Sequence, residues 1–299
     1  MAIKELLVEI GPAWSPADVK AKRRVLSKTL EGSWSTLYKG RGMEFAGYRQ
    51  YVYGDDASKI DWHATLRAKT TLVREYEEFK TVNVYFLLDV SDSMLFTTQE
   101  KLKCEYAAEM LYHFAYAIVD LGDAVGYALF NDDIIASHYP SIGTELLFRL
   151  ERDLLNGENY GGGIDLKRVL LTVNGMMAER VLFVLISDYL NLPEGWEEYV
   201  KMLAVEHDLI GIMVRDPRDH VLSDERLQAI VEDPTTEERL LIDTKQYADL
   251  YEMEVTKEEA YIANVFTKAR AGFLKMDTTK DALTQLIRYF QKRMRLVRL

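Results

Sequence analysis

Val82-Asn-Val-Tyr-Phe-Leu-Leu88 is a short apolar run that ends on Asp89-Val-Ser91-Asp-Ser93. A bounded run of this length reads as a strand buried on both faces. Four more follow at Ala124 to Phe130, Val181 to Ile186, Leu209 to Val214 and Gly272 to Met276, with long amphipathic stretches between them. In the first of these stretches Leu102, Tyr106, Met110, Phe114 and Ile118 keep a helical spacing, and Gly122 is placed to stop it. Such alternation predicts an α/β fold with a doubly wound, mainly parallel sheet. Asn131-Asp132-Asp133 reads as a tight turn into one antiparallel strand, Ile134 to Ser137. Further helices are expected from about Thr144, Asp165, Gly195, Lys257 and Thr279.

Upstream of Thr81 the composition changes. Residues 1–80 carry 14 Lys+Arg against 11 Asp+Glu, leaving 23 against 37 for residues 81–299. That step predicts two modules, 1–80 and 81–299. In the first, Asp18 to Leu30 reads as a short helix whose basic face (Lys20, Lys22, Arg23, Arg24, Lys28) is solvated. Ser35 to Tyr53 and Thr71 to Phe79 alternate in the manner of antiparallel strands, which makes this module β-rich. In the second, residues 217–256 are acidic, broken by Pro217 and Pro234, and read as an insertion beyond the core fold. The last stretch, Leu286 to Leu299, is an amphipathic helix. Its apolar side (Leu286, Ile287, Phe290, Met294) packs on the sheet, and Arg288, Lys292, Arg293, Arg295 and Arg298 complement the negative helix end.

The chain has 299 residues, 48% of them hydrophobic and 28% charged, enough for a sizeable core and too ordered in pattern for a disordered protein. A net charge of −11 argues against a nucleic-acid partner. The single cysteine, Cys104, can form neither an internal disulfide nor a thiolate metal cluster. Apolar runs fall well short of the roughly 20 residues of a membrane helix, and Met1 to Trp14 is too acidic and broken for a signal peptide. The expected location is the cytoplasm, with no transmembrane segment.

Open α/β sheets bind ligands outside the carboxyl ends of their strands. Asp89, Asp132, Asp188, Asp216 and Asp277 all stand at such ends. Asp132, Asp216 and Asp277 read as caps. Asp89 begins Asp89-x-Ser91-x-Ser93, three oxygen donors at alternating positions, and Asp188 comes from another strand end that would lie alongside. Two carboxylates there repel, so one is pushed toward protonation unless a cation neutralises both. Oxygen ligands without nitrogen or sulfur favour a hard ion, Mg²⁺ or Mn²⁺, completed by water.

Asp89-x-Ser91-x-Ser93 with Asp188 resembles the metal-ion-dependent adhesion site of von Willebrand factor A domains. Gly54-Asp55-Asp56-Ala-Ser-Lys-Ile60-Asp61-Trp62, then Leu66-Arg67 and Leu72-Val73-Arg74-Glu75, resembles the signature of the bacterial and archaeal family called domain of unknown function 58. Together the two cover roughly residues 35 to 215. The resemblance implies a von Willebrand A-like domain behind a small β-rich module, association with a MoxR-type AAA+ ATPase, and no established enzymatic activity. It also implies Ser91 and Ser93 as direct metal ligands, with Asp89 and Asp188 acting mostly through water. Two positions depart from the patterns: Ile164 stands where a threonine follows the glycine pair Gly162-Gly163, and Ser58 stands where the signature has an arginine. Thr144, Asn159 or Asp165 could supply the missing ligand.

The signature cluster reads as structural: Asp55 and Asp56 in a turn after Tyr53, Asp61 and Arg67 available for ion pairing, and Trp62 buried against the second module. Its alternative role is a partner surface. Enzyme readings find little support. A haloacid-dehalogenase-type phosphatase needs an aspartate where Ser91 stands, no G-x-S-x-G elbow occurs, and Gly161-Gly162-Gly163 lacks the G-K-[ST] of a P-loop. None of the five histidines has metal-ligand spacing. The expected function is a non-catalytic, metal-dependent protein-binding module, an adaptor between a MoxR-type AAA+ ATPase and a client protein. A metal-dependent phosphoester hydrolase is the alternative.

Overall fold

The computed structural model of the chain describes residues 17–37, 42–79, 82–220, 228–232 and 239–297. In chain order these form α1 (Ala17–Leu37), β1 (Gly42–Gln50), α2 (Trp62–Ala68), β2 (Leu72–Phe79), β3 (Asn83–Asp89), α3 (Lys103–Asp120), β4 (Ala124–Phe130) and β5 (Ile134–Ser141). Then come α4 (Glu145–Leu155), α5 (Leu166–Met176), β6 (Leu182–Ser187), α6 (Trp196–Glu206), β7 (Asp208–Arg215), β8 (Gln228–Glu232), β9 (Arg239–Asp243), α7 (Thr244–Lys268), β10 (Gly272–Asp277) and α8 (Ala282–Val297).

Six strands make the central sheet in the order β10-β7-β6-β3-β4-β5. Every pairing is parallel except β4 with β5, so the antiparallel edge strand stands where the turn at Asn131 predicts it. The apolar run Val82 to Leu88 explains why the sheet is covered on both faces. Val84, Phe86 and Leu88 point into one core with Met110, Phe114 and Ile118 of α3, and Leu286 and Phe290 of α8. Tyr85 and Leu87, one residue out of phase, point into the other with Leu170 of α5, Val200 of α6 and Phe266 of α7. The period-2 geometry of a strand divides a continuous apolar run between two layers, and each fully buried large side chain stabilises by about 1.5–3 kcal/mol. Gly211 in β7 allows a close approach: a Cβ there would meet the Phe266 ring at 2.5 Å. The doubly wound α/β fold and the small β-rich module therefore stand as expected.

Several local expectations are corrected. Within residues 1–80, α1 packs on the central sheet's core, apart from the β1–β2 pair. Leu26 and Leu30 of α1 are buried in the core shared with α3 and α8. Arg23, expected on a solvated basic face, is buried; its Nη2 lies 2.7 Å from His113 Nδ1 and its guanidinium sits over the Tyr116 ring. Burial, reinforced by the Arg23 charge, pushes the His113 imidazole down to about 3, which keeps it a neutral acceptor. Ser35 to Leu37 close α1 instead of opening a strand, because extending an existing helix needs no new nucleus. By the same logic α7 starts at Thr244, not near Lys257. What stands apart from the sheet is the antiparallel pair β1–β2, with α2 between its strands. Arg298 and parts of the 217–256 segment lie outside the described residues. Leu286 and Phe290 are buried, so α8 is a packed last helix.

Candidate metal and ligand site at the strand tips

The strand order places β3 beside β6, the point where the chain winds outward in both directions and where crevices open in doubly wound sheets. Asp89 ends β3, and Ser187-Asp188 ends β6. Asp89 has no exposed surface. Its Oδ1 accepts from the Ser91 amide at 2.9 Å, which closes the loop, and its Oδ2 accepts from Ser187 Oγ across the sheet at 2.6 Å. Burial, then the nearby Asp188 charge, pushes the Asp89 carboxyl up to about 6, against the pull of Ser187 and Ser91.

Ser91, Ser93 and Asp188 converge. Ser91 Oγ is 3.3 Å from Ser93 Oγ, and Ser93 Oγ donates to Asp188 Oδ1 at 3.1 Å. Oxygens on adjacent corners of an octahedron with about 2.1 Å bonds are about 3.0 Å apart, so this donor set fits a hard divalent cation. Among the described residues no group of three or more His, Cys, Asp or Glu side chains is gathered as a ligand set. A cation here would rest on hydroxyls and two carboxylates.

Further residues join the network without a mark in the sequence motif. Lys103 has no exposed surface, and its Nζ donates to Asp188 Oδ2 at 2.8 Å and to Asp219 Oδ2 at 3.2 Å. Asp219 belongs to a one-turn helix after β7, which Asp216 caps through the Arg218 amide. Asp216 also accepts from Thr97 Oγ1, from the Thr98 amide and from Thr98 Oγ1, tying the loop after β3 to the end of β7. A signal for Lys103 existed: it lies seven residues before Met110 and eleven before Phe114, on the core-facing stripe of α3. Ser187 precedes Asp188 in the motif, but only the sheet order shows that it reaches Asp89.

The proposed substitute ligands are placed as follows. The glycine loop does reach the site, since Gly161 N donates to Val90 O at 2.7 Å and Asp92 N donates to Gly162 O at 2.9 Å. Positive φ at Gly161 and Gly162 permits that approach. Ile164 packs into the core with α5, Asp165 caps α5 through the Arg168 amide, and Asn159 donates to Asp153 O. Thr144 precedes α4 without a capping bond.

In the signature cluster, Asp55 sits in the turn, as expected, and accepts both Arg49 nitrogens at 2.6 and 2.9 Å. Asp56 caps a separate one-turn helix, Ala57–Lys59, through the Ser58 amide. Gly54 takes the positive φ of that turn. Asp61 caps α2 through the Ala64 amide and accepts from Tyr48 Oη at 3.0 Å. Its cationic partner is Arg74 at 2.9 Å instead of Arg67. These bonds, with Thr65 Oγ1 accepting from the Leu72 amide, fix the rotation of α2. Trp62 and Leu66, one turn apart, consequently face outward, 65% and 77% exposed. Trp62 is not buried against the second module.

The family profile described as Protein of unknown function DUF58 matches residues 47–261, from the β1–β2 module through most of α7. The chain belongs to the DUF58 family. An uncharacterized protein of Mycobacterium bovis, Mb1516, is 23% identical to this DUF58 member over 275 residues, spanning 91% of this chain and 86% of its own. A second, MAV169 of Mycobacterium avium, is 27% identical over 116 residues, 39% of this chain and 68% of that protein. Among solved structures, the conserved hypothetical protein BatB from Bacteroides thetaiotaomicron superposes with a TM-score of 0.47 at 17% identity, covering 72% of this chain and 99% of its own. A von Willebrand factor type A structure from Catenulispora acidiphila gives 0.38 at 11% identity, covering 75% and 44%. No helix among the described residues is long and apolar enough to cross a membrane.

Proposed function

We propose that this DUF58 member is a non-catalytic protein-binding module whose strand-tip site carries Mg²⁺ or Mn²⁺ and recognises an acidic side chain of another protein. The observation that supports this reading is the contact of Ser93 Oγ with both Ser91 Oγ and Asp188 Oδ1, at 3.3 and 3.1 Å, where β3 and β6 meet. When bound, the ion supplies a Lewis-acidic position at which a carboxylate can replace water. The chain's own residues prepare that position. Ser187 and the Ser91 amide hold Asp89 behind the serines, and the Leu190 amide orients Asp188. The partner reading, a MoxR-type AAA+ ATPase and its client in the cytoplasm, rests on the resemblance of the Gly54 to Glu75 segment.

Calorimetric titration of Mn²⁺ into the wild-type chain and Asp89→Ala tests the site. Binding by the wild type, lost in a variant that keeps its circular dichroism, is the expected result. An identical isotherm for the two proteins would overturn it. Capture of a purified MoxR-type ATPase, with and without chelator, tests the partner; binding indifferent to chelation would refute metal dependence.

A further inference from the structure

Lys103 opens α3, where the helix dipole disfavours a cation. Burying an ammonium costs several kcal/mol unless it is closely paired. What holds it are carboxylates from two other strand ends, Asp188 after β6 and Asp219 after β7, and the Phe96 ring 5.9 Å away. Asp188 is shared: Oδ2 faces Lys103 while Oδ1 faces Ser93. Asp89, Asp188 and Asp219 are all buried, and Lys103 is bonded to the last two.

We propose that Lys103 is the resident counter-ion of the strand-tip site and sets its affinity for divalent cations by competing for Asp188. The inference deepens the metal-binding reading of Ser91, Ser93 and Asp188 and rests on it. A fixed positive charge on Asp188 Oδ2 repels an ion arriving at Oδ1 and spends part of the attraction that carboxylate has to offer. Because Lys103 also grips Asp219, and Asp216 next to it holds Thr97 and Thr98, any ion that loosens Lys103 loosens the tie between the β7 end and the loop after β3. Lys103 thus acts through Asp188 as a positioning residue.

The decisive comparison is calorimetric titration of Mn²⁺ alone into the full chain as wild type, Lys103→Gln and Lys103→Gln/Ser93→Ala. Glutamine keeps an amide donor near Asp188 and removes the charge. Lys103→Gln should bind Mn²⁺ at least about tenfold tighter than wild type, a difference of about 1.4 kcal/mol, and adding Ser93→Ala should abolish that gain. Equal or weaker binding by Lys103→Gln, with the wild type still binding, would overturn the role of Lys103 and leave the metal reading standing. Binding by neither protein, or binding indifferent to Ser93→Ala, would overturn both. Should Lys103→Gln fail to fold, ¹⁵N-detected lysine resonances of the wild type decide. Added Mg²⁺ should shift the buried Lys103 ammonium, and an unmoved signal would refute the competition.

Discussion

Asp89 and Asp188 stand at the strand tips without exposed surface, whereas Asp55, Asp56 and Asp61 occupy the turn and cap of the β1–β2 module, and the same side chain behaves oppositely in the two places. At the tips, burial and a like charge push Asp89 up to about 6. In the module, Arg49 holds Asp55, and the Ala64 amide with Arg74 and Tyr48 holds Asp61, each down at about 2. A carboxylate whose amide, hydroxyl and cationic partners favour its charge keeps it, and one sealed beside another carboxylate does not. The apolar residues are inverted as well. The strand tips rest on a sheet buried on both faces, while the module turns Tyr53, Trp62 and Leu66 outward. One region spends stability on holding buried charge, and the other leaves apolar surface unspent; both are conditions under which proteins meet partners.

Three experiments test this contrast. Ser187→Ala should have the largest effect on stability. It strips the hydroxyl that donates to Asp89 and accepts from the Tyr189 amide, and should cost about 1–3 kcal/mol in denaturant unfolding. A negligible loss would mean that Asp89 is stabilised by some other donor.

Acidification should act next, and locally. Depressed carboxyls favour the fold above the unfolded value of about 3.9 and lose that contribution as pH falls toward their folded value. With Asp55 and Asp61 at about 2, the module's amide signals in NMR should weaken between about pH 4 and 2. Asp61→Asn should already show the weakening at neutral pH. A transition near pH 6 would instead point to the strand tips, where the linkage has the opposite sign: a raised carboxyl costs the fold most above its folded value.

The smallest effect belongs to Trp62→Ala with Leu66→Ala. Exposed side chains contribute little to folding, so thermal unfolding should move by no more than about 0.5 kcal/mol per site. A large loss would show that these residues are covered in solution.

Much of the site was legible before folding. Asp89, Ser91, Ser93 and Asp188 are separated by a loop and a strand end, and the apolar runs that precede them announce where those ends fall. Lys103 was harder to see because the charge of a lysine normally marks a solvated position, and its core-facing place in α3 is shown by spacing against Met110 and Phe114 alone. Trp62 misled in the other direction. A tryptophan in a polar signature suggests an anchor, but Asp61, Arg74 and Thr65 set the rotation of α2 and carry it outward.

Periodicity is local physics. A strand or helix repeats its burial every two or 3.6 residues, so the run from Val82 to Leu88 and the stripe from Leu102 to Ile118 declare their elements, the two-sided sheet and the loop of oxygen donors without reference to the rest of the chain. Charge pairing is not local. Asp188 meets Lys103 across 85 residues and Asp219 meets it across 116, because β6 and β7 lie next to each other on one side of β3. Which carboxylates acquire the Lys103 counter-ion depends on strand neighbours about 4.8 Å apart, and that adjacency exists only once the sheet has formed.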